Sequence, residues 1–291
     1  MEHLNQSTCP SCGAQSFSTY LTVKDHFLSK ESFNLDLCDN CQLLFTNPRP
    51  TLEKIGDYYK SEEYVSHSST KKGIVNRVYA KVRSYTLKKK IALLQELVSG
   101  KDLLDIGAGT GHFLAKAKES GFHVLGLEPD EDARKVALSE NGIELKDLSL
   151  LHHLNQKFNA ITMWHVLEHV YNLQEDLEKI SSLVNQDGVL IIAVPNYTSF
   201  DAQYYKEFWA AYDVPRHLYH FSPKSLIPLV ESKGLKFEKM LPMKFDSYYV
   251  SMLSEKYKGG SLLKAMRIGF LSNMKAKEGL SSSQIYIFRK K

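Results

Sequence analysis

One segment constrains the fold more than any other: an apolar run at residues 103–106 leads directly into three closely spaced glycines, Gly107, Gly109 and Gly111. The apolar run has the length of a buried strand, and residues 112–120 carry apolar side chains at helical spacing. Glycine suits the turn between them because it accepts positive φ and lets a ligand lie against the backbone. The pattern therefore predicts a strand, a tight loop and a helix, with a binding site at the loop.

Two acidic residues accompany this loop. Glu128 follows the next apolar run, residues 123–127, where a carboxylate can accept hydrogen bonds from both ribose hydroxyls of a nucleoside. A nicotinamide dinucleotide would also suit Glu128, but the third glycine of its G-x-G-x-x-G fingerprint would fall on His112. Asp105 would repel a pyrophosphate, whereas it suits the cationic α-amino group of a methionine moiety. The glycine spacing and Asp105 together favour a nucleoside that carries methionine.

At these residues the chain resembles the class I S-adenosylmethionine (SAM)-dependent methyltransferases, and the resemblance covers roughly residues 99–291. Residues 158–170 are similar to the fourth-strand motif of that family, except that Asn159 replaces its usual aspartate, and residues 183–196 are similar to the fifth-strand motif. The resemblance implies an α/β fold, a Rossmann-like seven-stranded sheet with helices on both faces. It also implies SAM as the cofactor, bound by Asp105, Gly107, Gly109, Gly111 and Glu128.

The same resemblance adds two residues to the expected cofactor site. Asp147 stands where the family often places the acid that accepts a hydrogen bond from the adenine amino group, although the usual preceding glycine is Lys146 here. Trp164, at the end of the fourth-strand motif, would pack near the methionine part of the cofactor. A role in the core is the alternative for Trp164.

All four cysteines of the chain lie in two C-x-x-C pairs, Cys9 with Cys12 and Cys38 with Cys41. Such pairs suit a tetrahedral, structural zinc site without an open coordination position. The sequence therefore predicts an N-terminal zinc ribbon over residues 1–46, since so short a segment buries too little to fold without a metal. Disulfides are the alternative, disfavoured by an N-terminus unlike a signal peptide and by an intracellular cofactor. Whether the ribbon only stabilises the protein or also docks substrate stays open.

Residues 47–98 are expected to form a linker, marked by Pro48 and Pro50, and an N-terminal helical segment, before a methyltransferase domain at 99–291. Residues 71–90 contain basic side chains and no acidic one, which indicates either a phosphate-binding surface or the solvated face of a helix over about 75–98. The formal net charge is only +4. The longest apolar run of the main domain is too short to span a membrane. We thus expect a cytoplasmic protein without a membrane span, and the oligomeric state is unknown.

Two insertions, near residues 199–222 and 243–278, are expected to cap the substrate. The first resembles the zinc-carrying deoxysugar C-methyltransferases, in which a histidine lines the sugar site. That resemblance makes His217 a catalytic candidate, although Arg216 replaces the family's acid and a helix-capping or core role is the alternative. His165 is the second candidate, because a histidine with a pKa of about 6.5 could take a proton from a hydroxyl or carbon acid. The second insertion predicts a basic amphipathic helix, either a lid or dimer contact or a membrane-surface helix.

The combined expectation is a SAM-dependent methyltransferase that methylates oxygen or carbon of a small-molecule or glycan-precursor acceptor. An RNA methyltransferase, which would hold the phosphate backbone with the zinc ribbon and the basic helix, is one alternative. The residues after the fourth-strand motif lack the Asn/Asp-Pro-Pro-aromatic pattern of amino-group methylation, which disfavours it. A non-catalytic SAM-binding scaffold, whose ribbon docks a partner, is the other alternative.

Overall fold

The computed structural model describes residues 3–59, 74–276 and 279–290, and for residues 74–80 it describes the backbone alone. The strands are β1 (His3–Leu4), β2 (Phe17–Lys24), β3 (Ser32–Cys38), β4 (Leu44–Thr46), β5 (Arg49–Pro50), β6 (Asp102–Ile106), β7 (His123–Leu127), β8 (Phe158–Trp164), β9 (Val184–Pro195), β10 (Tyr219–His220), β11 (Lys236–Pro242) and β12 (Ser283–Arg289). The α-helices are α1 (Leu52–Ile55), α2 (Ile74–Leu97), α3 (His112–Glu119), α4 (Glu131–Asn141), α5 (Leu173–Leu183), α6 (Phe200–Tyr205), α7 (Pro223–Glu231), α8 (Asp246–Lys258) and α9 (Leu262–Lys275). Short 3-10 helices lie at Gly56–Tyr59, Leu148–His153, Leu167–His169, Lys206–Phe208 and Ala210–Tyr212.

The larger sheet has the strand order β11-β12-β9-β8-β6-β7. Strands β6 to β9 are parallel, whereas β12 pairs antiparallel with both β9 and β11. Successive side chains of a strand point to opposite faces of the sheet. Accordingly, Leu104 and Ile106 of β6 share a core with α5 and α7, and Leu103 shares another with α2, α3 and α4. The predicted α/β, Rossmann-like fold with helices on both faces is confirmed.

The described part of this sheet has six strands and not the seven that the family resemblance implies. After α4 the chain passes beside β7, where Lys146 forms a single parallel bridge to Leu127. Pairing stops there because Asp147 turns the chain into the 3-10 helix Leu148–His153 and caps it by accepting a hydrogen bond from the Ser149 N–H at 3.0 Å. The expected seventh strand is therefore reduced to a one-residue bridge.

A smaller antiparallel sheet has the order β10-β4-β3-β2, so it joins the cysteine-containing N-terminal segment to the first predicted insertion. In its register Tyr219 pairs with Phe45, and His220 pairs with Leu44. The Thr46 hydroxyl also donates a hydrogen bond to the carbonyl oxygen of His217 at 2.8 Å. Strand β10 of the predicted cap is thus part of the same sheet as the strands of the predicted ribbon segment.

A second core lies between this small sheet and both predicted insertions. It combines side chains from the N-terminal strands, from the segment around α6 and from α8 and α9: Val23, Phe33, Leu35, Tyr205, Trp209, Val250 and Ile268. Helix α9 exposes Leu263 and Met274 on its other side. Residues 277 and 278 of the second insertion lie outside the described residues. Of the helices that the structure describes, none combines the length and the hydropathy of a membrane span.

Candidate active site

The glycine loop connects β6 to α3 at the carboxyl end of the parallel strands. Gly107, Gly109 and Gly111 all have positive φ, and Gly111 directly precedes α3. A β-carbon on Gly107 would overlap the side chain of Val166, so packing requires glycine there. At Gly109 nothing lies within 4 Å of the β-carbon position. The loop therefore leaves open space against its backbone at Gly109, as close approach of a ligand requires.

Glu128 directly follows β7 and is 8% exposed. Its carboxylate accepts hydrogen bonds from the backbone N–H groups of Gly109, at 2.7 Å, and Asp130, at 3.0 Å. Burial raises the pKa of this carboxyl group. The two hydrogen bonds hold the carboxylate beside the glycine loop, where the sequence predicts contact with ribose hydroxyls.

Asp105 in β6 is 2% exposed, and its carboxylate accepts a hydrogen bond from the Thr162 hydroxyl at 2.5 Å. Burial raises the pKa of Asp105 to about 7, although the Thr162 hydrogen bond and the Lys90 ammonium group both oppose the increase. A buried carboxylate is costly without a positive partner. The position therefore suits a cationic group of a ligand.

Lys90 of α2 and Trp164 of β8 lie together, and the Lys90 charge acts on Asp105. The Lys90 ammonium is 3.9 Å from the centroid of the Trp164 ring, and burial lowers its pKa to about 8. The Trp164 ring packs edge-to-face on Phe113, and its Nε1 is buried without an acceptor among the described residues. Lys90 belongs to the basic segment predicted at residues 71–90, of which residues 71–73 lie outside the described chain. Lys90 itself is only partly exposed, and its ammonium group lies on the Trp164 ring.

Asp147 lies near Glu128 through a shared arginine. Arg134 of α4 forms an ion pair with Asp147 at 2.9 Å and donates a hydrogen bond to the carbonyl oxygen of Glu128. The Asp147 side chain is about half exposed, and its hydrogen bond with the Ser149 N–H lowers its pKa. The Asp147 carboxylate is therefore ionised at neutral pH and accessible to a ligand.

His165 directly follows β8 and has a positive φ of 59°. Its Nδ1 lies 3.3 Å from the carboxylate of Glu168, and its Nε2 lies 2.9 Å from the carboxylate of Asp246. Burial lowers the pKa of the imidazole, but the hydrogen bonds to Asp246 and Glu168 outweigh burial and raise it to about 10. Because both ring nitrogens donate to carboxylates, His165 has no lone pair to accept a proton.

His217 is buried beside Glu168 and His169, and the three side chains bring potential ligand atoms within 4.8 Å of one another. The His217 Nδ1 lies 2.9 Å from the carbonyl oxygen of Ala211. A backbone hydrogen bond from the Leu218 N–H to the carbonyl oxygen of Glu168, at 2.8 Å, ties the two segments together. The structure thus places His217 in a polar cluster with Glu168 and His169.

The four cysteines converge in the N-terminal segment, with their sulfur atoms within 4.8 Å of one another. Cys9 Sγ is 3.5 Å from Cys41 Sγ, and Cys12 Sγ is 3.6 Å from Cys38 Sγ. Four thiolates at about 2.3 Å from a tetrahedral Zn²⁺ ion lie roughly 3.8 Å apart, so these side chains fit that ion. All four are free cysteines, which disfavours the disulfide alternative.

Comparison with known proteins places this site in a family. A family model described as a methyltransferase domain matches residues 79–239, more than half of the chain. The chain belongs to this methyltransferase family. Membership agrees with the SAM-dependent methyltransferase activity predicted from the glycine loop. Similarity to the deoxysugar C-methyltransferases stays a prediction.

Individual relatives of this methyltransferase are distant. It is 25% identical over 198 residues to the ubiquinone biosynthesis O-methyltransferase of Rickettsia bellii (strain OSU 85-389), a match that covers 61% of this chain and 80% of the relative. It is 32% identical over 108 residues to an uncharacterized methyltransferase of Alkaliphilus oremlandii (strain OhILAs), covering 35% of this chain and 48% of that protein. The chain therefore spans about half the length of the second relative.

A solved structure supports the fold of the methyltransferase. Magnesium protoporphyrin IX methyltransferase from Synechocystis PCC 6803, with bound SAH, superimposes with a TM-score of 0.54 at 14% sequence identity. The match covers 83% of this chain and 100% of that structure. At this identity the likeness bears on the fold alone.

Sequence reasoning missed several residues of the methyltransferase site. Lys90 stood unmarked in a basic run, and Asp246 is far along the chain from His165. For Glu168 and His169 a signal was available, because the spacing His165-x-x-Glu168-His169 directly after a strand places three titratable side chains on one short turn.

Proposed function

We propose that this chain transfers the methyl group of SAM to oxygen or carbon of a small-molecule or glycan-precursor acceptor. One juxtaposition carries the proposal: the cofactor-type loop directly adjoins a buried cluster of histidines and a carboxylate. Val166 packs at the Gly107 position of the loop, and Glu168 of the cluster follows two residues later. A reacting acceptor held at the cluster would therefore lie beside the cofactor.

The chain's own residues provide the expected cofactor contacts. Asp105 would bind the cationic α-amino group, Glu128 would accept hydrogen bonds from the ribose hydroxyls, and Gly109 leaves room against the backbone. Asp147 is accessible for the adenine amino group, and Trp164 would pack beside the methionine part. SAM supplies a methyl group on a sulfonium ion, which is already electrophilic. The protein's main contribution is alignment, with the reacting atoms held about 3 to 3.5 Å apart.

On the acceptor side, His217 is better placed than His165. Both nitrogens of His165 contact carboxylates, so this side chain would orient Glu168 and Asp246 and supply positive charge. The Nδ1 of His217 contacts the carbonyl oxygen of Ala211, which can only accept a hydrogen bond. Its Nε2 therefore keeps a lone pair, which can accept a proton from the acceptor or bind another positively charged group.

The cysteine cluster is proposed to hold a structural Zn²⁺ ion. Four thiolates leave no open coordination position, so this ion would take no part in the chemistry. The proposal gains support from β10, which joins the cysteine-containing sheet to the segment that carries His217. A folded ribbon would thereby position the acceptor side of the site.

Two observations bear on the acceptor class. The Rickettsia relative is named as an O-methyltransferase of ubiquinone biosynthesis, which favours oxygen methylation of a small molecule. Because the Lys90 ammonium group lies on the Trp164 ring, the basic helix has one cation fewer for the phosphate backbone that an RNA methyltransferase would bind.

Transfer of labelled methyl from SAM into a fractionated cell extract tests the proposal. Label is scored separately in polar metabolites, lipid-linked glycans and RNA. Asp105→Asn is the inactive variant, and Asp102→Asn, a more exposed aspartate of the same strand, is its matched control. We expect label in metabolites or glycans from the wild type and from Asp102→Asn only. Label confined to RNA would instead support the RNA alternative, and tight cofactor binding without any transfer would support the scaffold alternative.

A further inference from the structure

The two histidines of the Glu168 cluster are both oriented by backbone carbonyl groups. The His169 Nδ1 lies 3.0 Å from the carbonyl oxygen of Arg216, and the His217 Nδ1 lies 2.9 Å from that of Ala211. Because a carbonyl oxygen can only accept, an Nδ1 that bonds to it carries the proton, and the Nε2 of that ring keeps its lone pair. The Tyr59 hydroxyl, 2.9 Å from the same His169 Nδ1, then accepts from it as well. Metal-ligating histidines are typically held in this way, with the other ring nitrogen donating to a carbonyl or carboxylate.

The carboxylate of Glu168 has an atom without a partner. Its Oε1 contacts His165, but its Oε2 is buried and accepts no hydrogen bond from any described residue. The whole side chain is only 1% exposed. An unpartnered, buried carboxylate oxygen is costly, and a positive group would remove that cost.

Each nearby cation is shared by two carboxylates. Arg216 donates to both carboxylate oxygens of Asp213, at 2.6 and 3.0 Å, and to Asp25 at 3.2 Å. His165 contacts Asp246 at 2.9 Å and Glu168 at 3.3 Å. These carboxylates therefore outnumber the cations that contact them, and a further cation at Glu168 would balance part of the excess negative charge.

We propose that Glu168, His169 and His217 bind a divalent metal cation through one carboxylate oxygen and two Nε2 atoms. The three side chains each bring one potential ligand atom within 4.8 Å of the others. Ligands at about 2.0 to 2.2 Å from a common ion are at most about 4.4 Å apart, so small side-chain movements complete the site. Two imidazoles and one carboxylate suit Mn²⁺, Fe²⁺ or Zn²⁺ and leave coordination positions open.

The role of this ion rests on the proposed function, whereas its binding does not. An acceptor oxygen would be a further ligand of the ion, at the carboxyl end of β8 and beside the loop that is proposed to hold the cofactor. In that arrangement His217 acts on the acceptor through the ion and not as a direct base.

Manganese binding provides the test, because Mn²⁺ favours nitrogen and oxygen ligands over the thiolates of the cysteine cluster. Mn²⁺ is titrated into the full chain, which carries one zinc ion per chain for the cysteine cluster and is free of SAM and acceptor. The free Mn²⁺ is followed by electron paramagnetic resonance. We expect about one Mn²⁺ per chain, with electron spin-echo modulation from imidazole nitrogens. Glu168→Gln should weaken binding at least about tenfold. His152→Gln, an exposed histidine paired with Asp176, is the control and should bind as the wild type does.

Wild-type protein that binds no Mn²⁺, or a bound ion without imidazole modulation, would overturn the metal site. So would unchanged binding by folded Glu168→Gln. If that variant fails to fold, the imidazole modulation measured on the wild-type protein decides whether the metal site exists. This experiment measures metal binding and not methyl transfer. Its result is therefore independent of whether the proposed function is correct.

Discussion

The ammonium group of Lys90 lies 3.9 Å from the ring centroid of Trp164, so a residue of the N-terminal helix α2 covers the end of β8. Its positive charge acts on the carboxylate of Asp105 and opposes the effect of burial. The pKa of Asp105 is still raised to about 7, and that of Lys90 is lowered to about 8. Both groups of the proposed cofactor pocket therefore titrate near neutral pH.

Cofactor affinity should fall as the pH decreases below 7. Asp105 would bind the cationic amino group only when ionised, and its raised pKa means that it gains a proton as the pH falls through about 7. Below that pKa the affinity for S-adenosylhomocysteine should drop about tenfold per pH unit. Calorimetry between pH 5.5 and 7.5 measures the slope, a range in which Lys90 remains mostly charged. A flat profile would contradict the assignment of Asp105.

His165→Asn should destabilise the protein by about 2 kcal/mol. The change leaves the carboxylates of Glu168 and Asp246 without their shared cation, and the partial exposure of His165 keeps the effect below that of a fully buried ion pair. Asparagine tolerates the positive φ at this position. Thermal denaturation measures the loss, with His152→Asn, at an exposed ion pair, as the control. Equal stability of the two variants would indicate that His165 is not a structural cation.

Two loop variants should separate packing from ligand approach. Gly107→Ala places a β-carbon against Val166 and should cost about 2 to 4 kcal/mol of unfolding free energy. Gly109→Ala meets no neighbour and should cost about 1 kcal/mol, through its positive φ, while abolishing cofactor binding. Denaturant unfolding and calorimetry of both variants check this pattern. If Gly109→Ala binds the cofactor with wild-type affinity, the glycine loop is not part of the cofactor site.

The main sheet and the positions of the proposed cofactor residues around the glycine loop were predictable because their signals are local. Asp105, Gly107 and Glu128 belong to one strand, loop, helix and strand unit, in which spacing alone relates them. The pairing of His165 with Asp246 joins residues far apart in the chain, and no local pattern specifies such a partner. The same holds for Tyr219 and Phe45, whose pairing merges the ribbon segment with the cap. In the described part of the chain the implied seventh strand is only one bridge long, because Asp147 caps the 3-10 helix that follows it.

Zinc removal should loosen the cap as well as the ribbon. If Cys9, Cys12, Cys38 and Cys41 hold Zn²⁺, a chelator releases the strands β2 to β4, and β10 loses its only described sheet partner, β4. Hydrogen exchange at residues 44–46 and 219–220 should then accelerate together, while exchange in β6 and β8 changes little. Exchange at 219–220 that is insensitive to zinc removal would show that the cap folds without the ribbon.

The most direct test of the account is calorimetric titration of the full chain with S-adenosylhomocysteine at pH 8, where Asp105 is ionised. The account predicts one molecule bound per chain, affinity at least about tenfold weaker in Asp105→Asn, and wild-type affinity in Asp102→Asn. Absence of binding to the wild type, or equal affinity in Asp105→Asn, would contradict the proposed cofactor site.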